Sequence, residues 1–230
     1  MIYHPKYHNN LNEISTLIKA CIFDLDGVIV DTAHYHYLAW KQLAKELGFD
    51  LSIEDNERLK GVSRMTSLNI VLEIGGIQAS ELEKERLANK KNTWFVDYIE
   101  RMLPEEIFPG VRQLIENMKA SGIKVGLASS SKNAVTVIKR LGIGNIFHAI
   151  VDGGMITHTK PDPEIFLKAA QLMEVLPEYC LVFEDAEAGV EAALAANMKC
   201  IGIGSPEQLG KANRVFAKTG DFKIEMLNDY

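Results

Sequence analysis

Short runs of apolar residues alternate along most of the chain with longer segments in which apolar positions recur every three or four residues. The first run, Ala20-Cys21-Ile22-Phe23, leads into Asp24-Leu25-Asp26-Gly27-Val28. Four more follow, at Ile123–Ala128, Ala149–Val151, Tyr179–Phe183 and Cys200–Ile203. Runs this short and apolar predict buried strands. Between them a helical period covers Val111–Ala120, Asn133–Leu141, Glu164–Met173 and Glu187–Ala196. Gly122 and Gly142 follow two of these segments closely, as C-terminal helix caps do. Strands alternating with helices of about ten residues imply βαβ units and a parallel sheet.

From about Thr32 to Leu103 the alternation stops. Only helical pattern remains there, over Tyr35–Leu47, Ser63–Ile74 and Ser80–Met102, and Pro104 to Pro109 reads as a return linker. The expected fold is α/β: a doubly wound, Rossmann-like parallel-sheet core from residues 1–31 and 104–230. An all-helical cap, residues 32–103, is inserted after the first strand. Residues 1–19 are a polar extension with no apolar stretch resembling a secretory signal.

Chemistry gathers at the predicted strand ends. The first strand runs into Asp24 and Asp26, with Gly27 allowing a sharp turn. The second runs into Ser129-Ser130-Ser131, any of which could present a hydroxyl. The fourth runs into Glu184-Asp185, and Lys160 precedes Pro161 in a loop that opens a helix. In a parallel sheet these residues share the C-terminal edge, where open α/β sheets bind ligands. Carboxylates this close repel unless a cation or a shared proton separates them. Two carboxylate pairs, a hydroxyl and a lysine describe a site for Mg²⁺ and a phosphoryl group.

The net charge of −6 argues against nucleic acid or an anionic membrane as the main partner. No apolar stretch approaches the ~18 residues of a membrane span. Cys21, Cys180 and Cys200 are far apart, lack zinc-ligand spacing and lie in or beside apolar runs. Buried free thiols in a reducing cytoplasm are the expectation.

Four ordered motifs, Asp24-Leu25-Asp26-Gly27, Ser129, Lys160 and Glu184-Asp185, resemble the phosphotransferase branch of the haloacid dehalogenase superfamily. The resemblance implies that Asp24 is a nucleophile forming an aspartyl-phosphate and that Asp26 is the general acid/base. It implies Mg²⁺ on Asp24, the Asp26 carbonyl, Glu184 and Asp185, with Ser129 and Lys160 steadying the transferring group. Further stretches narrow the resemblance to the β-phosphoglucomutase subfamily: Asp31-Thr32-Ala33, His36, Trp40, Leu59 to Arg64, Leu87 to Asn92, and Leu127 to Asn133. That implies an enzyme converting β-glucose 1-phosphate to glucose 6-phosphate through the 1,6-bisphosphate. Arg64, Ser131, Lys132 and Asn133 would then hold the distal phosphate, Gly61 and Val62 the sugar, while His36 and Lys91 would tune Asp26. Val151 to Thr159 instead resembles the loop of phosphatase relatives, so hydrolysis of small sugar phosphates is the alternative. A cleft between core and cap needs no second subunit, and a monomer is expected.

Overall fold

A computed structural model describes residues 17–59 and 62–230. Six strands form one sheet in the order β3-β2-β1-β4-β5-β6, every pairing parallel. They are β1 (Ala20–Phe23), β2 (Lys124–Ala128), β3 (Ala149–Val151), β4 (Cys180–Glu184), β5 (Lys199–Ile203) and β6 (Arg214–Phe216). Four helices alternate with β2 to β5 and cover both faces: α5 (Val111–Ala120), α6 (Ala134–Arg140), α7 (Glu164–Leu172) and α8 (Glu187–Ala195). A short α9 (Pro206–Leu209) precedes β6.

Alternation along each strand divides the core in two. Cys21, Phe23, Leu181 and Phe183 pack with α5 and α6, while Ala20, Ile22, Cys180 and Val182 pack with α7 and α8. Phe23 and Phe183 stack at 4.4 Å across neighbouring strands. All three cysteines are buried free thiols, as the sequence suggested.

The helical insertion comprises α1 (Thr32–Glu46), α2 (Ile53–Glu57), α3 (Arg64–Ile74) and α4 (Glu81–Ile99). Asp31, Ser52, Ser63 and Ser80 cap their N-termini through side-chain oxygens. Trp40, Leu43, Leu68, Val71, Leu72 and Leu87 build a core of their own between α1, α3 and α4. The same α1 and α4 also send Ala39, Phe95 and Ile99 into the main core, which ties the insertion to the sheet.

Three elements escaped the sequence reading: β6, α2 and the four-residue α9. β6 is a three-residue edge strand, Arg-Val-Phe, led by an exposed arginine and nowhere fully buried, so it offers no apolar run to read. α2 is five residues long with no buried side chain, so it has no apolar stripe to detect. No helix of the described residues is long and apolar enough to cross a membrane.

Candidate active site

In the strand order, β1 lies between β2 and β4, and the chain reverses its direction of travel across the sheet at the β1–β4 crevice. Ligands of doubly wound sheets bind at such a reversal, beyond the strand C-termini. Asp24 follows β1 directly, with its N–H donating to the Phe183 carbonyl at 2.9 Å. Glu184 ends β4 and Asp185 follows it. The register therefore sets three carboxylates side by side.

Lys160 sits between two of them. Its buried ammonium donates to Asp24 Oδ1 at 2.6 Å and to Glu184 Oε2 at 2.8 Å. Burial opposes the lysine charge, but Asp24 and Glu184 outweigh it and hold the ammonium above the usual lysine range. Burial pushes the Glu184 carboxyl up, and Lys160 pulls it back. Asp26 is pushed up by burial and then by Asp24, against Lys160 and Lys91, and its Oδ1 has no hydrogen-bond partner. An orphaned carboxyl oxygen of this kind is completed by a proton or by an incoming hydroxyl.

Oxygen donors of Asp24, Glu184 and Asp185 all lie within 4.8 Å of one another. Opposite oxygens around Mg²⁺ are about 4 Å apart, so this all-oxygen set fits a hard divalent ion with little movement. Two glycines make room for it. A Cβ on Gly27, which has φ +74°, would stand 2.0 Å from Asp185 Oδ2, and one on Gly189 would stand 2.0 Å from the Glu184 carboxyl carbon. Gly189 has helical backbone, so Gly189→Ala carries no conformational penalty, and the nearest atoms its Cβ meets are those of the Glu184 carboxylate. The expected result is a folded protein whose divalent-metal affinity falls roughly 10- to 100-fold, as when a ligand's supporting contacts are altered. Calorimetric titration with metal checks it.

Above this floor lies a cleft walled by the insertion on one side and by β2–α6 loop residues on the other. Asp24, Asp26 and Asp185 form its base, and Ser131, Lys132 and Asn133 border it from the core. His36, Val62, Arg64 and Lys91 face it from the insertion. Ser129 and Lys160 are buried behind it, and the Ser129 Oγ accepts the Ser131 N–H at 3.2 Å. Gly61 lies outside the described residues. Arg64 and Lys132 also border a neighbouring hollow that none of the aspartates at the base reaches, which places these cations towards the other end of the cleft.

Lys91 is 1% exposed, a costly position for an ammonium. Its Nζ lies 2.7 Å from His36 Nδ1 and over the Trp40 ring at 4.5 Å. Burial, then Lys91 and Arg64, push His36 well below the ordinary histidine range, and burial, then Arg64, pushes Lys91 well below the lysine range while Asp26 pulls it back. Trp40 is 2% exposed, packed in the core of the insertion, and also borders the cleft. Asn133 Nδ2 donates to Asn92 Oδ1 of α4 at 2.8 Å, a direct bond between core and insertion.

Ser130, one of the three candidate hydroxyls, also lines the cleft, as do Asn56, Ser67 and Gly153, which were missed. Asn56 and Ser67 carry no motif, and Gly153 is legible only through space. A Cβ there would meet the Ser130 carbonyl oxygen at 2.1 Å. A second group, His158, Asp162 and Glu164, lies at the surface. Glu164 accepts the N–H groups of Thr157 and His158 there, which pins the loop leading into Lys160.

The strand-end carboxylates, buried lysine and helical insertion define a phosphoryl-transfer enzyme of the haloacid dehalogenase class. A sequence profile of the haloacid dehalogenase-like hydrolases matches residues 18–197, and the chain belongs to that family. It is 44% identical over 214 residues to β-phosphoglucomutase of Bacillus subtilis, covering 92% of this chain and 95% of that one. It is 35% identical over 187 residues to a phosphorylated carbohydrates phosphatase of Thermotoga maritima, covering 80% and 84%. The crystal structure of β-phosphoglucomutase from Clostridium difficile superposes with a TM-score of 0.89 at 46% identity, covering 92% of this chain and 96% of that one.

Proposed function

We propose that this protein is a metal-dependent phosphomutase interconverting β-glucose 1-phosphate and glucose 6-phosphate. The observation that carries the reading is one cleft with reactive carboxylates at its base and two cations, Arg64 and Lys132, displaced from them. A hydrolase of small monophosphates needs only the first. A mutase must grip a second phosphate, and guanidinium binds phosphate through paired N–H groups.

Asp24 carries the phosphoryl group. Its Oδ1 is held by Lys160, which leaves Oδ2 for attack. Phospho-Asp24 gives the group to the 6-hydroxyl of β-glucose 1-phosphate. The O–P bond to Asp24 breaks, a new one forms to the sugar, and the hydroxyl proton passes to Asp26. The resulting 1,6-bisphosphate reorients. Asp24 then attacks the 1-phosphoryl group, Asp26 returns its proton to the sugar oxygen, and glucose 6-phosphate leaves. Asp24, Glu184, Asp185 and the Asp26 carbonyl would hold a divalent ion, taken to be Mg²⁺ because the donors are all oxygen. When bound, it supplies positive charge against the phosphoryl oxygens. Ser129 orders the loop through Ser131, and Ser131, Lys132 and Asn133 precede α6, whose first N–H groups favour an anion. Val62 meets the sugar, and Lys91 with His36 sets when Asp26 releases its proton.

In this reading residues 32–103 are a cap whose closure excludes water, so a sugar hydroxyl attacks instead. One chain supplies both walls, which favours a monomer, and the buried thiols favour the cytoplasm.

The test supplies Mg²⁺, β-glucose 1-phosphate and a trace of the 1,6-bisphosphate, and follows glucose 6-phosphate and free phosphate together. Isomerisation with little phosphate release supports the mutase. Phosphate release without isomerisation supports a phosphatase of small sugar phosphates instead. Arg64→Ala is expected to lower kcat/KM for isomerisation by roughly 10²-fold, the scale of one lost charge-assisted contact. Hydrolysis of a small monophosphate should change far less, and equal losses would remove the distal phosphate site.

A further inference from the structure

Among the described residues, the uncharged polar side chains bordering the cleft are almost all occupied within the protein. Ser63 Oγ accepts the Thr66 N–H, Ser67 Oγ donates to the Leu59 carbonyl, and Ser131 Oγ accepts the Asn133 N–H. Asn133 donates to Asn92, and Ser130 is also engaged. Asn56 is not: it borders the cleft, and its carboxamide, which can both donate and accept, has no partner among the described residues.

Its place is fixed by local structure. Ser52 and Asp55 close a reciprocal cap at the start of α2, and Asn56 follows that cap. Leu59, three positions on, is buried and borders the same cleft, so both residues lie on one face of this turn. The nearby cap wall includes Trp40, Leu59 and Val62, whose side chains offer a sugar ring apolar contact and, from the Trp40 indole, a single N–H donor with no acceptor. A carboxamide presents two N–H donors and one acceptor oxygen. Each ring hydroxyl both donates and accepts, so the amide matches a hydroxyl, or two adjacent ones, and has no charge to attract the phosphates.

We infer that Asn56 is a specificity-determining residue that reads a ring hydroxyl of the sugar phosphate through its side-chain amide. The inference rests on the proposed function, since it takes the cleft to hold a sugar phosphate. A site built to bond a hydroxyl discriminates against an analogue that lacks it.

The test measures kcat/KM of the unchanged protein and of Asn56→Ala for β-glucose 1-phosphate and its 2-, 3- and 4-deoxy analogues, following isomerised product and free phosphate. Asn56→Ala should cost roughly five- to tenfold on the parent sugar, the net worth of one hydrogen bond. On one deoxy analogue, the one missing the hydroxyl that Asn56 holds, the same substitution should cost nothing further. The readout is the ratio between substrates, so any loss of folded enzyme scales all four alike and cancels. Ratios that are the same in both proteins overturn the inference while leaving the mutase reading intact. No product of either kind from the unchanged protein removes the mutase reading and this inference with it.

Discussion

Asp24→Asn is expected to abolish both isomerisation and phosphate release, by roughly 10⁴-fold or more in kcat/KM, the scale seen when a covalent nucleophile is removed. The amide oxygen has the shape of the carboxylate oxygen but little nucleophilicity, and it forms no stable phosphoryl adduct at neutral pH. The fold should survive, because Asp24 joins the sheet through its backbone N–H to the Phe183 carbonyl, which the substitution keeps. Lys160 also keeps Glu184 as a partner. The loss would therefore belong to chemistry rather than to structure. It is checked in the same two-product assay, with the thermal midpoint as a control. Substantial residual turnover by a folded variant would place the nucleophile elsewhere.

Lys160→Met should produce the second largest effect, and on two readouts. Among the described residues the ammonium is the only cation bonded to the buried Asp24 and Glu184 carboxylates, and its side chain is fully buried. Removing it leaves like charges facing each other in a poorly hydrated crevice. Breaking a buried pair in this way costs about 3–5 kcal/mol. For a chain of this size that is about 10 °C of thermal midpoint. The deficit should be largest with chelator present and should shrink when Mg²⁺ is added, because an ion that binds the folded state stabilises it. Activity should fall roughly 10²- to 10³-fold even at saturating Mg²⁺, since an electrostatic contact to the transferring group is also lost. A midpoint equal to that of the unchanged protein in chelator would contradict the electrostatic account of this crevice.

Much of this was legible in the chain because the signals were local. Strand ends followed by Asp24, Glu184-Asp185 and Ser129 could be placed on one edge as soon as the sheet was read as parallel. The helices of the core matched within a residue or two, since their apolar stripes face a sheet on one side and water on the other. The insertion was recognisable from the absence of strand pattern. What failed to show was long-range. That Lys160 bridges Asp24 and Glu184, 136 and 24 residues away, is set by how the loop pinned by Glu164 returns to the crevice. Gly189 and Gly153 look like ordinary glycines until the carboxylate and the carbonyl that crowd them are seen. Asn56 sits in a five-residue helix with no apolar pattern, and nothing next to it in sequence marks it as facing a ligand. Ala39, Phe95 and Ile99 show why the boundary between core and insertion is blurred: helices of one contribute side chains to the other.

The most direct measurement is to quench the protein during turnover with Mg²⁺ and β-glucose 1,6-bisphosphate, reduce with borohydride, and map the peptides. Borohydride converts an aspartyl-phosphate to homoserine, so a homoserine at position 24 and nowhere else is the predicted result. A reduced residue at any other position, or an unmodified Asp24 in protein that is demonstrably turning over, would contradict a phosphorylated aspartate at the end of the first strand.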